Sequence, residues 1–149
     1  MKKRIIKLLI WLSVLLNILV VTALILAAMG KLMPLLAPLI MTNMGPKYER
    51  LVSQFEGFTM QSGDVVFLGD SITQGGAWHE LFPNRPVRNR GIGGDTTKGI
   101  LNRLHQVTNG NPSQVFLLIG TNDVSFGETD ETIVDNIVTI IERITDESP

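Results

Sequence analysis

Three short strand-like segments, two of them apolar runs, each lead to a glycine-bearing polar turn and constrain this chain more than any other feature. Val65-Val66-Phe67-Leu68 runs into Gly69-Asp70-Ser71, Val87 to Asn89 leads to Gly93-Gly94-Asp95, and Val115 to Ile119 ends at Gly120-Thr121-Asn122-Asp123. Apolar runs of this length bounded by polar residues predict strands of a parallel sheet, and the first and third read as buried on both faces. Between and after them the period changes to that of a helix. Ile100, Leu101, Leu104 and Val107 share one face, with Asp95 or Thr96 as the cap. Ile133, Val134, Ile137, Ile140, Ile141 and Ile144 follow the third run at helical spacing, from about Thr132. Strands alternating with helices predict βαβ units. Right-handed crossovers then bring every strand's carboxyl end to one edge. Open α/β sheets bind their ligands at that edge.

The three turns therefore converge, and their chemistry can be read together. Ser71 offers a hydroxyl nucleophile and a backbone N–H. Gly94 offers an N–H with no side chain to block approach, and Asn122 offers an amide donor. Three donors around one serine can form an oxyanion hole for an acyl-transfer intermediate. The plainer alternative is that Asp70 or Ser71 caps the next helix. A cap alone would need no polar, glycine-bearing turns after the two other strands.

Other chemistries fit less well. Gly91-x-Gly93 lacks the third glycine of a dinucleotide fingerprint, and no glycine loop leads into Gly-Lys-Ser/Thr. Residues 69–73 lack the second glycine of a G-x-S-x-G elbow. The chain has no cysteine, hence no disulfide framework and no thiol nucleophile. His79 and His105 have no metal-ligand partner at helical spacing, and no metal or organic cofactor is expected. His105 is expected on the solvent side of its helix.

Leu8 to Gly30 carries no charge. At about 1.5 Å per residue, such a helix spans roughly 35 Å, enough to cross a bilayer core. Lys2, Lys3, Arg4 and Lys7 precede it, and only Lys31 follows closely. The positive-inside rule then predicts a single-pass signal anchor with a cytoplasmic N-terminus and an extracytoplasmic domain. A cleaved signal peptide competes, but its apolar core is usually only about 7–15 residues. Asn17, within the span, is read as a tolerated polar residue. Residues 31–149 hold 9 basic and 14 acidic side chains, which argues against nucleic acid as a partner.

Residues 31–62 read as a membrane-proximal linker and amphipathic helix, and residues 63–149 as the catalytic-type domain. Lys31 to Met44 is apolar but interrupted by Pro34 and Pro38. Pro46 opens a helix carrying Tyr48, Leu51, Val52 and Phe55 at helical spacing.

The motifs resemble a known family. Val66-Phe67-Leu68-Gly69-Asp70-Ser71-Ile72-Thr73 looks like block I of the GDSL, or SGNH, hydrolases. Asn89-Arg90-Gly91-Ile92-Gly93-Gly94-Asp95-Thr96-Thr97 looks like block II, and Ile119-Gly120-Thr121-Asn122-Asp123 like block III. The similarity is greatest to the lysophospholipase-like and platelet-activating-factor acetylhydrolase-like members. It implies a flavodoxin-like three-layer α/β/α sandwich with a parallel sheet. It also implies Ser71 as nucleophile, with Gly94 and Asn122 joining the Ser71 N–H in the oxyanion hole. The implied substrates are small acyl esters, such as acetyl esters, of carbohydrate or lipid.

One departure stands out. The family's Asp-x-x-His block, which holds the base and its orienting aspartate, has no counterpart in these 149 residues. His79 is a poor substitute, since Glu80, its one nearby acid, is expected to point elsewhere. Only three of the family's five strands are expected, with the third as an exposed apolar edge. The sequence is accordingly expected to be an incomplete reading of a longer product, inactive alone. The competing function is a catalytically inactive, membrane-tethered module that binds glycans or a partner protein.

Overall fold

The computed structural model describes residues 2–147, and its chain divides into two units, residues 1–38 and 39–149. In the first, α1 (Lys2–Ala28) is an uninterrupted helix whose apolar side chains face outward on all sides. Arg4–Ala28 is long and apolar enough to cross a membrane. Its polar side chains satisfy themselves locally. Asn17 Nδ2 donates to the Ser13 carbonyl at 2.7 Å, and Thr22 Oγ1 to the Ile18 carbonyl at 2.8 Å. Such bonds to the preceding turn let a polar residue sit in an apolar helix without a partner from elsewhere.

α2 spans Leu32–Glu56, a longer helix than the prolines suggest. Pro34 falls in the first turn, where a missing N–H costs nothing. Pro38 and Pro46 each forgo one backbone bond without ending the helix. Beyond it come β1 (Val65–Gly69), α3 (Ser71–Gln74), α4 (Trp78–Leu81) and β2 (Val87–Gly91). Next are α5 (Thr97–Arg103), α6 (His105–Thr108), β3 (Gln114–Leu118), α7 (Thr121–Phe126) and α8 (Asp130–Glu147).

The three strands are parallel in the order β2-β1-β3. Val65 to Gly69 pair in register with Val87 to Gly91 on one side and Gln114 to Leu118 on the other. This is the expected α/β architecture, with β1 central and buried throughout. Alternation along β1 divides its side chains between two layers. Val66 and Leu68 enter a core with Ile100, Leu104, Val107 and Ile140. Phe67 faces the other way and stacks on Trp78 at 4.2 Å, Phe116 at 4.9 Å and Phe82 at 5.8 Å between ring centroids.

Two expectations about buried faces need correction. β3 begins one residue earlier than the run Val115 to Ile119, and it is not buried on both faces. Val115 and Leu117 pack toward the core, whereas Phe116 and Leu118 are 51% and 49% exposed. The cause is position, and here the expectation of an exposed edge is met: β3 is an edge strand paired only with β1. On α8, Ile133 and Ile140 are buried, but Val134 and Ile141 fall off that face and are exposed. Two short helices, α3 and α7, stand where the sequence suggested only turns.

Surface pairs tie the layers together. His105 Nε2 lies 2.7 Å from Glu56 Oε1, at the surface as expected, and joins α6 to α2. Gln106 donates to the same carboxylate oxygen at 2.7 Å. Just before β1, buried Asp64 accepts from Arg88 Nε on β2 and from the Gln61 N–H, both at 2.9 Å. Burial pushes this carboxyl up, but the bonds and charges from Arg88, Gln61 and Arg90 outweigh it, so its pKa lies below the usual range.

Candidate active site

The turn after β1 is shaped by close approach. A Cβ on Gly69 would collide with the Leu118 carbonyl oxygen and with Thr73 Oγ1, and one on Gly91 with the Gln74 backbone. Gly69 therefore serves packing, since its neighbours leave no room for a side chain. Buried Asp70 caps α3, its Oδ1 accepting the Ile72 N–H at 2.9 Å. The capping role weighed for Asp70 is thus real, and it fixes Ser71 as the exposed first residue of α3.

The second turn is stitched to the first. The Gly93 N–H donates to Gln74 Oε1 at 2.8 Å, and a Cβ on Gly93 would stand 3.7 Å from Ser71 Cβ. Asn89 completes the seam. Its Nδ2 faces the carbonyls of Thr73, Gln74 and Gly76 at 3.0, 3.1 and 3.3 Å, and its Oδ1 accepts the Gly91 N–H at 2.9 Å. Gly94 follows with φ +81°, in the left-handed region that a side chain disfavours. Among the described residues, nothing hydrogen bonds to the N–H of Ser71, the N–H of Gly94 or the Ser71 hydroxyl.

The third turn joins the second directly. Gly120, at φ +113°, opens α7, and Asn122 Nδ2 donates to the Asp95 carbonyl at 2.8 Å. Asp123, buried beside it, accepts from the Thr97 N–H through both carboxylate oxygens at 3.0 Å and from Thr97 Oγ1 at 2.6 Å. Asn136 of α8 donates to the same hydroxyl at 2.9 Å. Seams between successive turns thus bring the surroundings of Ser71, Gly94 and Asn122 together.

Behind them sits a buried ion pair. Arg103 Nη2 is 2.7 Å from Asp95 Oδ2, and Nε donates to the same oxygen at 2.8 Å. Tyr48 of α2 donates to Asp95 Oδ1 at 3.2 Å. Burial raises the Asp95 carboxyl above its usual range, against the opposing pull of Arg103. Burial, then the Asp95 charge, pushes the Tyr48 phenol far above its ordinary value. A cavity of about 250 Å³ opens alongside, bounded by Tyr48, Glu49, Gly93, Gly94 and Asn102.

Neither histidine bonds to Ser71. His79 is largely exposed on α4, with Nε2 3.7 Å from Glu80 Oε1. That corrects the expectation that Glu80 points elsewhere: at the surface, adjacent side chains bend toward each other freely. Among the described residues, no three His, Cys, Asp or Glu side chains are grouped to hold a metal. Sequence patterns alone missed Gln74, Asn89, Arg103 and Tyr48. A signal existed for Arg103, which occupies a core-facing position three residues after Ile100 and four before Val107.

Comparison with known proteins identifies the family and the fold. The model of the GDSL-like Lipase/Acylhydrolase family matches residues 67–149. The Platelet-activating factor acetylhydrolase IB subunit alpha2 of Rattus norvegicus is 33% identical over 111 residues, covering 68% of this chain and 48% of that protein. The chain thus spans about half the length of the curated relatives it matches. A solved structure from Streptococcus pneumonia, assigned provisionally as a platelet activating factor, superposes with a TM-score of 0.68 at 26% identity. That match covers 77% of this chain and 56% of the other. AlinE4, an SGNH-hydrolase family esterase, shares the fold at 22% identity and a TM-score of 0.51, over 60% of this chain and 56% of its own.

Proposed function

This chain belongs to the GDSL-like lipase/acylhydrolase family, and from that premise we propose that it carries the nucleophile and oxyanion hole of a membrane-anchored serine acylhydrolase. Its substrates are small acyl esters, such as acetyl esters, of carbohydrate or lipid. Ser71 Oγ attacks the ester carbonyl carbon while its proton passes to a base from solvent, none of the described residues being placed to take it, and a proton is returned to the departing alcohol oxygen. The developing oxyanion is held by the Ser71 N–H, the Gly94 N–H and Asn122 Nδ2. Collapse of the tetrahedral intermediate expels the alcohol and leaves Ser71 acylated, and water later releases the acid. Donors fixed before the reaction are worth more than flexible ones, because nothing reorganises as charge appears.

The observation that carries this is the pair of unspent backbone donors, Ser71 N–H and Gly94 N–H, flanking an exposed serine hydroxyl. The second N–H of the Asn122 amide is the third donor. The relatives' names support acetyl ester chemistry. α1 anchors the chain in a membrane with its N-terminus in the cytoplasm, by the excess of cations before the span.

Proton transfer is the weak link of this half-site. A serine hydroxyl is a poor nucleophile without a base, and neither His79 nor His105 hydrogen bonds to Ser71. Detergent-solubilised protein exposed to p-nitrophenyl acetate should therefore release about one equivalent of p-nitrophenol slowly, with little turnover. Ser71→Ala should remove that phase; a phase of equal size in the variant would refute Ser71 as nucleophile. A second function, an inactive module binding glycans or protein, is favoured by the same unpartnered hydroxyl, and total absence of acetyl transfer would select it.

A further inference from the structure

We propose that Arg103 is the positioning residue of the oxyanion hole: through Asp95 it sets the relative places of the three turns that supply the donors. The inference rests on the roles proposed for Ser71, Gly94 and Asn122. Arg103 is 1% exposed; its guanidinium meets the backbone leading into the first two turns directly and the third through Asp95. Its Nη2 donates to the Arg90 carbonyl near the end of β2 at 2.9 Å and faces the Gly69 carbonyl, two residues before Ser71, at 3.4 Å. Nε and Nη2 both bind Asp95 Oδ2, at 2.8 and 2.7 Å.

Asp95 passes that placement on. Its N–H donates to the Ile92 carbonyl at 3.1 Å, which closes the turn around Gly93 and Gly94. Its own carbonyl receives the Asn122 amide at 2.8 Å. Its second carboxylate oxygen is held by the Thr96 N–H at 3.0 Å and the Tyr48 hydroxyl at 3.2 Å. Gly99 leaves the room this requires, because a Cβ there would collide with Asp95 Oδ1. One buried cation thus meets the end of β1, the end of β2 and the residue that seats Asn122. None of these groups touches substrate in the mechanism above, so Arg103 acts through them.

The geometry demands arginine. Several donors diverge from one planar, permanently charged group, whereas a lysine ammonium presents a single point. Arg103→Lys keeps the charge and loses the fork. Displacement of catalytic groups by about 1 Å can cost about 100-fold in rate.

Two measurements on ¹⁵N-labelled full-length protein in detergent test this. The first is hydrogen exchange of the Asn122 side-chain amide, referenced to the backbone amides of Val66 and Leu68 to remove any global loss of stability. The second is saturation kinetics of Ser71 acylation by p-nitrophenyl acetate. In Arg103→Lys, Asn122 exchange should rise relative to the core amides. The limiting acylation rate should fall about 100-fold at unchanged half-saturation. Tyr48→Phe removes one hydroxyl from the network and should show the same pattern at about two- to tenfold. If Arg103→Lys does not fold, Arg103→Gln, which removes the charge and keeps a planar donor group, is measured in its place, and an Asn122 amide and limiting rate unchanged in it overturn the inference. An Asn122 amide unchanged in the folded variants, with limiting rates within twofold of the parent, would overturn the inference. Absence of acylation in the parent would instead refute the role of Ser71, and the Asn122 exchange would still decide the role of Arg103.

Discussion

Asn122 divides its amide between two tasks. One N–H fastens α7 to the Asp95 carbonyl at 2.8 Å, and the other is the one assigned to the oxyanion in the proposed mechanism. Asn122→Ala should therefore slow acylation of Ser71 by about 10²–10³-fold, equivalent to about 2.7–4 kcal/mol of transition-state stabilisation. Stopped-flow release of p-nitrophenol measures it, and a loss below threefold would remove Asn122 from the hole. At this scale the sequence placed Ser71, Gly94 and Asn122 two to four residues past the ends of β1, β2 and β3, which is where the structure has them. It was silent on Gln74 and Asn89, whose bonds run between segments. Spacing along one segment cannot reveal which carbonyl a side chain will meet on another.

The elements are held by polar seams as much as by the core. α5, α7 and α8 meet at Thr97, whose hydroxyl donates to buried Asp123 at 2.6 Å and accepts from Asn136 at 2.9 Å. Thr97→Val keeps the shape but strips a donor from a buried carboxylate. It should cost about 1.5–3 kcal/mol in urea unfolding, the range for hydrogen bonds to charged groups. A cost below about 0.5 kcal/mol would show that the backbone N–H of Thr97 suffices.

At the start of β1, the pKa of Asp64 is depressed in the folded state. Its contribution is therefore full above the unfolded carboxylate value of about 3.9 and is lost as pH falls through the lower folded value. Thermal unfolding should show a falling acid limb below about pH 4, and Asp64→Asn should flatten that limb while lowering stability near neutrality. An unaltered limb would assign acid sensitivity elsewhere. Helix and strand types were legible from period alone. The full length of α2 was not, because proline penalties are local whereas helix continuity depends on the sum of many residues. The exposure of Phe116 and Leu118 was not read from composition, since an edge strand and a central strand can carry the same apolar run.

At the scale of the whole molecule, a helix long and apolar enough to span a bilayer precedes a parallel sheet whose strand ends lead into the three glycine-bearing turns. Four cations before the span should hold the N-terminus in the cytoplasm. A reporter fused there should be protected in intact cells, while protease added outside should cleave beyond Lys31; the reverse pattern would invert the topology. The βαβ rules made the shared edge of the three turns legible before any coordinates, because in a parallel sheet every strand's carboxyl end falls on one side.

The central claim is that Ser71 accepts an acyl group within an oxyanion hole built by all three turns. Peptide-resolved mass spectrometry of the protein after p-nitrophenyl acetate, with imidazole supplied as an external base, tests it most directly. One acetyl group should accumulate on the peptide bearing Ser71, well ahead of other exposed hydroxyls such as Ser62 and Ser125, and Asn122→Ala should suppress it selectively. Acetyl groups spread evenly over surface hydroxyls and indifferent to Asn122→Ala would contradict the account.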